Sequence, residues 1–167
     1  MNQKKIAGEK AAEYIKDGMV VGLGTGSTAR YMVDKVGEMV KNGLKIQGVP
    51  TSKATEEQAR SLGIPLLDIN DVDHIDLDID GVDEIDGDFN ATKGGGGALF
   101  REKVVASLAK EVIWIMDESK LVDKLGAFPL PIEILPYGYQ IVFKKMEEYG
   151  FNPKMRMKDG ELFVTDN

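Results

Sequence analysis

Cysteine is absent from the 167 residues, which excludes thiolate nucleophiles, disulfide frameworks and cysteine-ligated zinc together. Histidine is nearly as scarce. His74 is the single one, so neither a Ser-His relay nor a paired-imidazole metal site can be assembled. It sits in the polar stretch Asp71-Val72-Asp73-His74 and reads as a surface loop residue. No apolar run approaches the ~20 residues that cross a bilayer. The start, MNQKKIAGEKAAEYI, carries charges where a signal peptide has its apolar stretch. A cytoplasmic protein without a membrane partner is the expectation. Positive charge is also in deficit: 21 Lys and Arg against 28 Asp and Glu give a formal net charge of −7. That sign disfavours a nucleic-acid partner but still allows a small anionic substrate held by a local cluster.

What is present is an ordinary globular composition, 43% hydrophobic, 29% charged and 7% aromatic, with no repeat or low-complexity tract. Helical spacing is expected over about Gln3 to Lys16, Ser27 to Lys41, Thr51 to Leu62 and Ala98 to Lys110. Between these lie strand-like runs at Met19 to Leu23, Lys45 to Val49 and Ile64 to Leu67. In Ile75 to Asp80, the apolar Ile75, Leu77 and Ile79 alternate with Asp76, Asp78 and Asp80 as in a half-buried strand. Val112 to Met116 is a continuous apolar run, expected to be a strand buried on both faces. The alternation predicts an α/β fold, a Rossmann-like, mostly parallel sheet flanked by helices. After Lys124 the pattern changes. Gly126, Pro129, Pro131 and Pro136 bracket a strand-like Ile132 to Leu135, followed by a helix from about Tyr139 to Tyr149 and a strand from Glu161 to Thr165 with no partner. The expectation is a catalytic unit over residues 1–125 and a partial, smaller α+β (ferredoxin-like) unit over 126–167, mobile or held by another molecule.

Four segments carry possible chemistry. Gly22-Leu23-Gly24-Thr25-Gly26-Ser27-Thr28 joins a strand to a helix, where unhindered N–H groups at the helix start attract a phosphate. It is not a dinucleotide fingerprint, because Ser27 replaces the last glycine and no acid ends the next strand. Nor is it a nucleotide P-loop, since no lysine precedes Ser27 and Thr28. A turn that merely connects strand to helix is the alternative. Asp76-Leu77-Asp78-Ile79-Asp80-Gly81 opens like a calcium loop, but position twelve, where a bidentate Glu is needed, is Gly87. The chemical reading of Asp80-Gly81-Val82-Asp83-Glu84 puts carboxylates at a strand's carboxyl end, where parallel sheets hold ligands; a solvated acidic loop is the other. Lys93-Gly94-Gly95-Gly96-Gly97 offers successive amides beside a cation, suited to a developing oxyanion, or else a flexible linker. In the helix that follows, 100° per residue sets Glu102 among Ala98, Val105, Ala106 and Ala109, on the inward face. Burial should favour its neutral form and make it a better base. Asp117-Glu118-Ser119-Lys120 brings Lys120 to the same sheet edge. Together these groups fit proton abstraction next to a carbonyl of a phosphorylated small molecule, without a metal ligand set.

GTGST, DGVDE, KGGGGA followed by REK, and DESK, in that order and spacing, resemble the A-type ribose-5-phosphate isomerases over essentially the whole chain. The resemblance implies interconversion of ribose 5-phosphate and ribulose 5-phosphate through an enediolate, in the non-oxidative pentose phosphate pathway, without a metal or organic cofactor. It further implies that Glu102 is the proton acceptor, with Asp80, Asp83 and Lys93 also catalytic. Thr25, Gly26, Ser27, Thr28, Asp80, Gly81, Val82, Asp83, Lys93, Gly94, Gly95, Gly96 and Lys120 would bind substrate, and Lys4 matches a phosphate-contacting lysine. A homo-oligomer, dimer or tetramer, is implied as well. Gly97 extends the family's usual Lys-Gly-Gly-Gly without evident cost, and the family continues beyond Asn167. A non-catalytic sugar-phosphate sensor module is the competing reading.

Overall fold

Short apolar runs separated by amphipathic helices leave the chain one economical solution, a sheet with helices on its faces. The computed structural model, which describes residues 2–167, shows this arrangement. Strands β1 (Val20–Leu23), β2 (Gln47–Pro50), β3 (Ile75–Gly81) and β6 (Ala109–Ile115) form a parallel sheet in the order β2-β1-β3-β6. The expected strand at Ile64 to Leu67 is reduced to one bridge, Gly48 to Leu66, on the outer side of β2. Helices α1 (Gln3–Ala12), α2 (Ala29–Lys41), α3 (Lys53–Ser61) and α4 (Leu99–Leu108) surround it. α1 begins where Asn2 accepts from the Lys5 amide, and α3 where Ser52 accepts from the Thr55 amide.

The main core joins Ala12 of α1 and Met32, Val33 and Val36 of α2 to Val21 and Leu23 of β1 and Leu77 and Ile79 of β3. A smaller cluster of Val49, Ile75 and Val105 lies apart from it. Two expectations about strands change. β3 is not half-buried: Asp78 and Asp80 are each 1% exposed, because α4 packs over the face that alternation gives them. β6 is not buried on both faces: it is the last strand of the order, and Val112 and Trp114 stand 42% and 40% exposed. A continuous apolar run signals a strand but not the cover over it.

A short antiparallel hairpin, β4 (Glu84–Ile85) with β5 (Ala91–Thr92), follows β3 and leads into Lys93. Beyond the sheet, Ile132 to Leu135 is extended but unpaired, since Pro131 and Pro136 lack the N–H that a ladder needs. α5 (Tyr139–Glu148) forms as expected. Glu161–Leu162 (β8) does find a partner, Met157–Lys158 (β7), across the turn at Asp159-Gly160, a pairing the sequence pattern did not suggest. This part of the chain rests on the sheet unit through side chains. Glu84 accepts from the Gly126 and Ala127 amides at 2.9 and 2.8 Å, and Arg101 donates to the Asp166 carbonyl and to Asn167 Oδ1.

Candidate active site

The ends of β1 and β3 meet at the carboxyl edge of the sheet. Gly24 donates to the Ile79 carbonyl at 3.0 Å, and the Thr25 amide donates to Asp80 Oδ1 at 2.9 Å. A methyl on Gly24 would lie 2.3 Å from that same carboxylate oxygen, so only glycine lets the two loops come this close. The first loop continues into α2, whose Thr28 makes no side-chain cap; the Arg30 and Tyr31 amides of the first turn donate to the Gly26 and Thr28 carbonyls. Lys4 of α1 reaches this loop, donating to Ser27 Oγ at 3.0 Å, with Asp117 Oδ2 3.8 Å from its Nζ. The N-terminal lysine, the glycine loop and the Asp117-Glu118-Ser119-Lys120 segment therefore converge. Lys120 closes a 3₁₀ turn there, near enough for its charge to act on Glu84 and Asp117.

Thr25 is the exception within its loop. Its hydroxyl points inward, 2.7 Å from Thr51 Oγ1, 2.8 Å from Ser52 Oγ and 3.1 Å from Thr55 Oγ1. Thr51 and Thr55 in turn donate to the Leu23 and Gly24 carbonyls. The amide and hydroxyl of Thr25 are both engaged in holding the loop. Sequence reasoning missed this buried hydroxyl cluster. Its signal was Thr51-Ser52 and Thr55 at the start of a helix, where hydroxyls normally only cap.

The second half of the site is built around Lys93. Its ammonium lies 3.1 Å from Asp80 Oδ2 and 3.2 Å from Glu102 Oε2, and it also donates to the Gly81 carbonyl. Beyond this ion pair, Glu102 Oε2 is buried and has no other hydrogen-bond partner. Burial opposes the Lys93 charge, but the carboxylates of Asp80 and Glu102 outweigh it and raise its pKa. Glu102 is 7% exposed on α4. Burial first, then the Asp80 charge, push its carboxyl up to about 7 against the pull of Lys93. A carboxylate poised there is equipped to take a proton.

Asp83 and the glycines form the remaining wall. Gly95 donates to Asp83 Oδ2 at 2.7 Å, so Asp83 orders the turn that carries the Gly94 to Gly97 amides, while Val82 between Gly81 and Asp83 is buried. Gly97 is more than an extra residue. Its φ of +81° is left-handed, and a methyl there would fall 2.5 Å from the Phe163 ring. Arg156, stacked 4.0 Å from the Phe163 ring centroid, donates to the Gly95 carbonyl at 2.7 Å, and Pro131 sits against Gly94. The segment beyond residue 126 thus covers the outer side of this turn.

The chain is similar to known proteins in sequence and in fold. Residues 47–167 match the family model described as ribose 5-phosphate isomerase A (phosphoriboisomerase A). The chain is 58% identical over 168 residues to a ribose-5-phosphate isomerase A of Listeria monocytogenes serovar 1/2a, covering 100% of this chain and 75% of that relative. Among solved structures, ribose 5-phosphate isomerase A of Methanocaldococcus jannaschii superposes with a TM-score of 0.92 at 36% identity, over 99% of this chain and 75% of the other. A D-ribose-5-phosphate isomerase in complex with phospho-erythronic acid gives 0.92 at 38% identity, over 99% and 76%.

Proposed function

The chain belongs to the ribose 5-phosphate isomerase A family, and we propose that it interconverts D-ribose 5-phosphate and D-ribulose 5-phosphate by proton transfer through an enediolate. The observation that carries the mechanism is the buried Glu102 carboxylate ion-paired with the same Lys93 ammonium that pairs with Asp80. Glu102 removes the proton from C2 of the open-chain aldose, and the electron pair moves to O1. The Lys93 ammonium and the amides of Gly94, Gly95 and Gly96 meet the charge that develops there. Glu102 then returns the proton to C1. The proton on O2 passes to O1 through the Lys93–Asp80 pair, completing the ketose. Asp80 and Asp83 hold sugar hydroxyls and assist ring opening, Asp83 with one oxygen already committed to Gly95.

The phosphate belongs at the start of α2, where Gly26, Ser27 and Thr28 supply amides and hydroxyls and Lys4 supplies charge. Lys120 adds a second cation at this edge. The same reading makes residues 1–125 the catalytic unit, expects a cytoplasmic homo-oligomer, dimer or tetramer, and calls for no cofactor. A sugar-phosphate sensor would need the cradle alone, and nothing in binding favours keeping a carboxylate dry on α4. The relative crystallised with phospho-erythronic acid supports the enediolate reading, because a carboxylate places two oxygens on one carbon much as an enediolate places them on two.

Formation of ribulose 5-phosphate from ribose 5-phosphate tests the reading. Only ionised Glu102 can act as the base, so kcat/KM should rise with pH and level off above an apparent pKa of about 7. Absence of ketose at any pH contradicts it.

A further inference from the structure

Asp78 is a buried acid that this chemistry does not use. Alternation along β3 puts it on the face of Asp80, and its neighbours in register are Gly22 of β1 and Val112 of β6. α4 closes that face. A methyl on Gly22 would fall 2.4 Å from Asp78 Oδ1 and 2.8 Å from Val105 Cγ1, so the carboxyl fills a slot that only glycine leaves open. Val105 follows Glu102 by about one helical turn. Asp78 is 1% exposed and its Oδ1 has no partner. Among the described residues the one other buried side-chain polar atom without a partner is Glu102 Oε2, at the same site.

The charged groups facing Asp78 are Asp80 from its own strand, Lys93 from the glycine turn and Glu102 from α4. Asp83 bears on Glu102 as well. Asp76, one alternation earlier, is taken up by Lys110 at 2.7 Å. Gly22, Val112 and Val105 bring no charge. Asp80 and Glu102 therefore pair with one ammonium while Asp78, on the same strand face and beneath the same helix, has no cation in contact, and ionising all three leaves charge uncompensated in a dry slot.

Resting on the isomerase reading, we propose that Asp78 is a positioning residue that sets the ionisation of the Glu102 base by sharing with it a proton that these buried carboxyls cannot all release. While Asp78 is neutral, Glu102 is free to work as an anion; once Asp78 ionises, its charge makes Glu102 hold a proton more tightly. Burial, then the charge of Asp80, push Asp78 up to about 7, where Glu102 also lies, so the two release protons as an interacting pair.

The test compares the native protein with Asp78→Asn by carbon NMR titration of side-chain carboxyls without substrate, and by the pH profile of kcat/KM. The native protein should show two carboxyls titrating near neutrality. In the variant one disappears, and the Glu102 carboxyl titrates about one pH unit lower because a like charge has been removed. The acid limb of kcat/KM should move the same way, with little change in KM. Asp78→Ala, which adds no amide donors to the slot, should give the same shift where asparagine is not tolerated. A Glu102 titration unmoved in a folded variant overturns the proposal, as does a single near-neutral carboxyl in the native protein. A shifted titration in a protein that forms no ribulose 5-phosphate supports the coupling and contradicts the isomerase reading instead.

Discussion

The sheet unit and the segment from Gly126 to Asn167 are held by different forces. The first has a dry core: Val21, Leu23, Met32, Val33, Val36 and Ile79 are fully buried, drawn from two strands and a helix. The second has no buried residue at all, and Leu130, Leu135, Tyr137 and Val164 stand open to solvent. It is fixed instead by separate anchors: Glu84 on the Gly126 and Ala127 amides, Arg156 on the Gly95 carbonyl, Phe163 against Gly97, and the Lys53 amide on Asp166 Oδ2 at 2.7 Å. Apolar burial builds the platform that carries Asp80 and Glu102. Polar and shape contacts set the outer side of the glycine turn. Damage to the first should therefore abolish chemistry or folding, whereas damage to the second should shift geometry in steps.

The sharpest separation comes from Glu102→Gln. The amide keeps the shape but accepts no proton, so kcat should fall by about 10²–10⁴, while sugar phosphate still binds and the proteolytic pattern of the chain stays the same. Near-native kcat would remove Glu102 from the mechanism. Gly97→Ala probes the contact between the two regions. Its left-handed backbone resists a side chain, and the methyl must displace the Phe163 ring or the turn. A shift of the turn by a fraction of an ångström to 1 Å should lower kcat/KM by about 10- to 10²-fold, and adding Phe163→Ala should recover part of the loss by removing the clash. Native activity in Gly97→Ala would mean that the turn is not positioned from outside.

The smallest effect is expected at Glu84, whose carboxyl holds the anchor and also meets the Thr92 side chain. The Gly126 amide, then that of Ala127, hold its carboxyl below the ordinary glutamate value despite burial. A depressed pKa means the anchor is intact at neutral pH and is lost as pH falls through that lowered value. Glu84→Gln should accelerate limited proteolysis beyond Gly126 severalfold at pH 7, with little change in kcat, and the native protein should approach the variant in acid. Identical cleavage of both proteins at pH 7 would show that Glu84 does not tether the segment.

The same contrast explains what could be read from the residues alone. Periodicity carried the helices and the parallel strands, because apolar burial follows a repeat of 3.6 or 2 and the sheet unit is organised by burial. Glu102 was visible as a charge on an apolar helix face, and Gly24, Lys93 and Asp80 as ordered motifs at strand ends. Asp78 was not, although it alternates with Asp80, since a run of aspartates between apolar residues looks the same whether its polar face meets water or a helix. The exposure of Val112 and Trp114 had no local signal either, because cover depends on which strand ends the sheet. The β7–β8 hairpin turns on Asp159-Gly160, with a left-handed Asp159, but its strands are too short and too polar to show a period. That the Thr25 hydroxyl braces its loop had no local signal, since its partners Thr51, Ser52 and Thr55 lie twenty-six residues or more away.

The central claim is that Glu102 carries a proton between adjacent carbons of the sugar phosphate. It is tested most directly by converting ribose 5-phosphate in D₂O and reading C1 of the ribulose 5-phosphate by NMR. A base that is 7% exposed can trade its proton with solvent between the two half-reactions. The native protein should therefore place deuterium at C1, and Glu102→Gln should give neither product nor label. Ketose formed by Glu102→Gln at a near-native rate, labelled or not, would contradict proton transfer by Glu102.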